Sequence, residues 1–266
     1  MKYDSKEWHE QIGLVIDAIG SNKFPDELIR AIKKVVPYNQ IVIICYKNDV
    51  APVFWHSQVP ENRKAAVINQ YLNGCYLLDP WYHAFLKGMN DGLFFLEDVA
   101  PDDFFVSEFY REYYREIKIE NEAVLNINLR RDLQIQISMG IMEKEITQET
   151  RNNLSIIFPF IKYSAIKHWA HHPNLEAQEN SSIIHRHVSY VFNNFGQNVL
   201  SDREREVALL IIRGYSFKAI SDVLGLAFGT VKVHCKNMYR KLEINSQSEL
   251  FSLFIDEINA SSPENS

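Results

Sequence analysis

Apolar positions in the last third of the chain recur at intervals that only a helix satisfies. Val231, Cys235, Met238 and Leu242 stand at i, i+4, i+7 and i+11, the buried stripe of a helix running roughly from Phe228 to Leu242. Lys232, Lys236 and Arg240 follow one another four residues apart on the neighbouring face, with Val233 beside them. Upstream, Ser201 and Glu204 have the spacing of a capping box, and Val207, Leu210 and Ile211 face inward until Gly214 supplies a left-handed stop. Ser216 is placed to cap a second helix with Ile220, Val223 and Leu224 inward and Gly225 at its end. A last helix, near Gln247 to Ile258, carries Leu250, Leu253 and Phe254. The pattern predicts a small helical unit whose third helix is apolar behind and basic in front. Such a helix is suited to a phosphate-walled groove.

The first two thirds of the chain mix two periods. Trp8, Ile12, Val15 and Ile16 mark one helix, and Phe24 to Val36 a second, opened by Pro25-Asp26. Gln40 to Tyr46 is a β-branched strand, and a turn at Lys47 to Asp49 leads to another near Pro52 to His56. Helical stretches are expected at Glu61 to Asn73, Pro80 to Lys87 and Ser107 to Lys118. Ala123 to Leu129 and Leu133 to Met142 form a hairpin about Arg130 to Asp132, and Gln148 to Trp169 a long closing helix. The order predicts an α+β chain: an amino-terminal α/β/α sandwich with an antiparallel sheet, GAF/PAS-like, then an all-α four-helix helix-turn-helix domain. Sandwiches of this kind often enclose a ligand between sheet and helices. The expected division is 1–172 for sensing and dimerisation, 173–197 for a polar linker with a connector helix, 198–260 for DNA binding, and 261–266 as a disordered tail.

Composition narrows the class. At 46% apolar and 23% charged, a 266-residue chain is an ordinary globular protein of one or two domains. No apolar run is long enough to span a bilayer, and Met1 to Glu10 lacks the order of a secretory signal. Three scattered cysteines form no CxxC pair, so a cytoplasmic address away from membranes is expected. A net charge of −6 argues against coating nucleic acid with the whole surface. From Asn198 to Phe254, however, eight Lys/Arg meet six Asp/Glu, so this unit is +2 and the remainder −8.

Aromatic residues crowd two segments, Tyr71 to Tyr82 and Phe104 to Tyr114. Trp55, Tyr71, Tyr76, Asp79 and Trp81 are the candidate ligand residues: rings give rigid walls, and one carboxylate among them can orient a polar or cationic head group. Both segments also read as core, and Asp79-Pro80 as a helix cap with a first-turn proline. His168, His171, His172, His185 and His187 lack the spacing of a metal site, and Cys45 and Cys75 read as buried inert thiols. No GxSxG, HExxH or phosphate loop occurs, and Asp102-Asp103 lies in a loop, so no catalytic residue, metal or cofactor is assigned.

The stretch LSDREREVALLIIRGYSFKAISDVLGLAFGTVKVHCKNMYRKLEI resembles the helix-turn-helix of LuxR-type transcriptional regulators over some sixty residues. The resemblance implies that Lys232, Val233 and Lys236 meet bases or phosphates of double-stranded DNA, and that the last helix pairs two copies on a near-palindromic site. Thr230, Arg240 and Lys218 complete the expected DNA surface. Three positions depart from the family. Ala227 replaces the usual capping hydroxyl, Phe228 and Gly229 replace polar residues at the helix tip, and Gln247 stands where Arg is common. Gly229 would admit a phosphate and Phe228 would touch a thymine methyl. Asp79-Pro80 resembles the pair whose Asp binds the ligand amide in acyl-homoserine-lactone receptors, but Gln70 and Ala66 stand where that pattern has Tyr and Trp. YLNGCYLLDPWY and APDDFFVSEFYREYY look more like the solo regulators that carry no cognate signal synthase. The implied function is a homodimeric regulator working with RNA polymerase and modulated by a small-molecule effector. A ligand-independent factor, a homoserine-lactone receptor and a protein-interaction module that reuses the fold remain as alternatives.

Overall fold

Alternating residues between Gln40 and Ile141 build one sheet in the computed structural model, which describes residues 3–72, 74–141, 145–170 and 179–260. The strands β1 (Gln40–Lys47), β2 (Val53–Gln58), β3 (Gly92–Phe95), β4 (Asn121–Arg130) and β5 (Leu133–Ile141) pair antiparallel in the order β2-β1-β5-β4-β3. The β4–β5 hairpin pairs Leu125 with Ile137 and Glu122 with Gly140. Because side chains alternate, this register sorts them onto two unlike faces. Ile41, Ile43, Leu125, Ile135, Ile137 and Met139 share a core with the helices α1 (Lys6–Ala18), α2 (Phe24–Val35) and α5 (Gln148–Trp169). The opposite face carries Gln40, Ile44, Tyr46, Glu122, Gln136 and Ser138. It is covered by the segment between β2 and β4, including α3 (Pro80–Leu86) and α4 (Leu96–Val99).

The expected helices at Glu61 to Asn73 and Ser107 to Lys118 are not regular. A 3₁₀ turn (Glu61–Arg63) and a π-turn (Ala65–Gln70) replace the first, whose Asn73 lies outside the described residues, and a π-turn (Tyr110–Tyr114) the second. β3 and α4, four residues each, escape a periodicity argument. In α1 the buried stripe is Trp8, Gln11, Val15 and Ala18, while Ile16 is exposed. Gln11 is accommodated because its amide donates to the Glu27 carbonyl and carboxylate, both at 3.2 Å.

The carboxy-terminal half comprises α6 (Glu179–Asn194), α7 (Asp202–Ile212), α8 (Phe217–Leu224), α9 (Phe228–Leu242) and α10 (Gln247–Ala260). The expected linker is helical from Glu179 onward; residues 171–178 and the tail 261–266 lie outside the described residues. Two expected core positions face solvent instead. Val223 is exposed because α8 turns Ile220 and Ser221 inward, where the Ser221 hydroxyl donates to the Lys218 carbonyl at 2.7 Å. Leu253 is exposed because α10 packs through Leu250, Phe251 and Phe254, the last edge-on to Phe192 and Phe195.

The aromatic layer on the polar side of the sheet continues into these helices as one core. At the junction Gly214 has φ +86° and a Cβ there would stand 2.9 Å from Phe104 Cα, so both its conformation and its neighbour require glycine. The Asp103 amide donates to the Gly214 carbonyl at 3.0 Å. The Asp102 carboxylate accepts from the Ser216 amide at 3.0 Å and from the Ser216 hydroxyl.

Candidate DNA-reading face and interior cavity

Caps and a half-buried ion pair hold α7, α8 and α9 together. The Ser201 hydroxyl accepts from the Glu204 amide at 3.4 Å, and the Glu204 carboxylate accepts from the Ser201 amide at 2.8 Å, closing the capping box. The same carboxylate accepts from Lys241 Nζ at 2.6 Å, tying α7 to α9. Burial opposes its ionisation, but the Lys241 ammonium and the Ser201 amide hold its pKa below the usual carboxylate range. Ser216 caps α8 by accepting from the Ala219 amide at 3.1 Å, and Gly225 ends it at φ +63°.

This frame fixes the roll of α9. Val231, Cys235 and Met238 are buried, while Thr230, Lys232, Val233, Lys236 and Arg240 all face solvent, with Lys218 exposed on α8. No carboxylate pairs with Lys218, Lys232 or Lys236 among the described residues. Ala227 offers no side-chain cap. Phe228 is half-exposed, and Lys232 Nζ sits 4.6 Å above its ring, a cation–π contact at the helix tip.

The second feature is an internal void of about 40 Å³ between the polar sheet face and the segment that covers it. Tyr71, Asp79 and Trp81 line it, as do Glu122, Gln40 and Gln136. Asp79 serves both expected roles, since it caps α3 by accepting from the Trp81 amide at 3.0 Å and also faces the void. Tyr46 and Tyr71 share a hydroxyl–hydroxyl bond of 2.6 Å, and Tyr71 donates to Asp79 at 2.6 Å. Glu122 accepts from Trp81 Nε1 at 2.6 Å, from the Tyr114 hydroxyl at 3.0 Å and from the Ser138 hydroxyl. Burial, then the nearby Glu122 charge, pushes Asp79 up to about 7, and burial likewise raises Glu122.

Two sequence candidates stand elsewhere. Trp55 occupies a bulge in β2, where Ile43 pairs with His56 but Ile44 with Phe54. The extra residue is sent to the aliphatic side, its ring centroid 5.5 Å from that of Trp169. Tyr76 is buried behind Tyr71, and its hydroxyl lies 2.9 Å from His185 Nδ1 on α6. Glu122 was hidden from sequence reasoning, although the polar alternation Gln134, Gln136, Ser138 of the facing strand marks that side as unusual. Larger clefts, about 660 and 520 Å³, open at the junction of the two halves, one beside Arg213 and Tyr215 and one along α10. Among the described residues no three His, Cys, Asp or Glu side chains gather as a metal site, and no helix is long and apolar enough to cross a membrane.

Comparison with known proteins agrees with this geometry. Residues 198–254 match the family of bacterial regulatory proteins of the luxR family. The chain is 28% identical over 186 residues, 68% of its length and 94% of the relative's, to a protein of Aeromonas salmonicida described as an HTH-type transcriptional regulator. It is 22% identical over 227 residues, 84% of its length and 87% of the relative's, to the monoamine regulon transcriptional regulator of Klebsiella aerogenes. The amino-terminal sandwich has the fold of the VqsR LBD domain from Pseudomonas aeruginosa, with a TM-score of 0.57 at 22% identity over 64% of this chain and 99% of that one. With the basic face of α9, its capped scaffold and that match in the same residues, residues 198–254 form a LuxR-type helix-turn-helix domain.

Proposed function

We propose that the protein is a cytoplasmic, homodimeric regulator that reads a specific DNA sequence and is modulated by a small molecule held in the amino-terminal sandwich. Residues 1–172 would sense and dimerise, 173–197 connect, and 198–260 bind DNA and act on RNA polymerase. The observation that carries the DNA half is the roll of α9: its apolar stripe is buried and Lys232, Val233, Lys236 and Arg240 are presented together. Lys232 and Lys236 supply phosphate or base contacts, with Thr230 and Lys218 at the edges. Replacing Lys232 and Lys236 together by Ala should weaken DNA binding at least tenfold and lower the salt dependence by about one unit of slope per lost phosphate contact. Unchanged affinity and slope would remove this face from the interaction.

The sensing half is supported by the void and by its connection to the helices. Phe104 belongs to the aromatic layer, and its neighbours Asp102 and Asp103 bind Gly214 and Ser216 at the start of α8. A scaffold helix of this kind crosses the DNA backbone, and its first amides are a natural phosphate site. Asp102 holds one of those donors, so a ligand that shifts the aromatic layer would change how freely α8 meets DNA. The small size of the void supports a competing reading, in which the first half only dimerises. A melting shift with small molecules separates the two, since a ligand at 100 times its dissociation constant adds about 2.7 kcal/mol.

A further inference from the structure

We propose that the interior cavity binds a small organic cation, an alkylammonium group on a short chain, through Asp79 and Glu122. This rests on reading the sandwich as a ligand-binding unit and names the class of ligand it takes. The argument is one of charge. Asp79 and Glu122 are 5% and 7% exposed and line the same void. Every hydrogen bond the structure gives them comes from a neutral donor: the Tyr71, Tyr114 and Ser138 hydroxyls, the Trp81 indole and the Trp81 amide. Among the described residues no Lys, Arg or His lines the void. Two buried carboxylates without a countercharge are costly, and either protons or a cation must relieve them.

A second observation points to an absent molecule. Gln40 and Gln136 line the void at 3% and 1% exposure, and each leaves an amide atom, Gln40 Oε1 and Gln136 Nε2, buried without a partner among the described residues. An ammonium supplies N–H groups for Asp79, Glu122 and Gln40, and an acceptor farther along the chain takes the Gln136 donor. The walls are the Tyr71, Trp81, Tyr113 and Phe54 rings, whose faces attract a cation. Rings in place of a full shell of oxygens favour an organic cation over a hard metal ion. At about 40 Å³ the void holds roughly three water-sized groups, enough for an amine head and a short stem. Near neutral pH the empty pair retains a proton, because burial raises both groups. The bound ammonium replaces that proton, which passes to buffer.

The test is a melting experiment on the full chain with 3-aminopropan-1-ol, its neutral counterpart 1,3-propanediol, and calcium chloride, each at 10 mM. The amino alcohol should raise the melting temperature, and the diol and calcium should not. The shift should grow between pH 6.5 and 8.0, and calorimetry in two buffers of different ionisation heat should show proton release. Glu122→Gln should fold, melt no lower than the parent, and lose the shift. Should that variant fail to fold, Gln136→Leu, which removes the polar group that the facing strand offers to the ligand, should also diminish the shift. A shift with the diol equal to that with the amine, or a response to calcium alone, overturns the cation while leaving a ligand-binding sandwich. An amine shift that survives Glu122→Gln overturns the assignment of the site. No shift with any of the three overturns the cation and withdraws the support that the void gives to sensing.

Discussion

The two faces of the amino-terminal sheet are made by the same strands, one residue out of step, and they could hardly be less alike. Toward α1, α2 and α5 stand Ile41, Ile43, Leu125, Ile135, Ile137 and Met139, apolar and wholly buried. Toward α3 stand Gln40, Glu122, Asn126, Gln134, Gln136 and Ser138, all but Ser138 equally buried, and four of them leave a polar atom unpartnered among the described residues. A sheet that only had to be stable would gain nothing from the second face, since each unsatisfied buried group destabilises the fold. The contrast teaches that one side secures the fold, while the other keeps polar groups buried that the described residues do not satisfy.

The largest expected effect lies on the first face. Ile137→Ala should cost about 3 kcal/mol in a urea titration, the usual range for emptying a packed aliphatic site. A loss below about 1 kcal/mol would break the contrast at once. The next concerns pH. Between the ordinary carboxyl value and about 7 the folded chain keeps on Asp79 a proton that the unfolded chain has released, so stability falls as pH rises through that window. The expected loss from pH 6 to pH 8 is about 1.4 kcal/mol, and Asp79→Asn, which still caps α3, should flatten the slope. Gln136→Leu should then raise stability by about 1 kcal/mol in the absence of ligand, because it removes an amide with an unpaired group. A loss of that size would mean that the polar face is ordinary core. Smallest is Asp102→Asn at the junction, which weakens the hold on Ser216 and should raise DNA affinity a few-fold in a fluorescence titration.

Local rules reached the parts of this molecule that local forces decide. The Ser201–Glu204 box, the stops at Gly214 and Gly225 and the buried stripe of α9 follow from spacing alone, and the structure has each of them. The hairpin and α5 were equally legible, since alternation and helical period run unbroken for nine residues or more. What escaped depends on partners far away in sequence. Glu122 reads as a surface charge until Trp81 and Ser138, 41 and 16 residues distant, are brought to it. Trp55 reads as a pocket wall until a register shift in β2 turns it over. Val223 looks like core until the short α8 spends its inward turn on Ser221.

The core shared across the junction carries a consequence for cooperativity. Phe104, Tyr113 and Trp81 belong to the same buried assembly as Val207, Met238 and Phe254, with Val188 and Phe192 of α6 between them. Sub-global opening of the sandwich would therefore expose the buried sides of α7, α9 and α10 at the same moment. The chain should melt in a single calorimetric peak, and amide exchange in α9 should slow whenever the distant sheet is tightened.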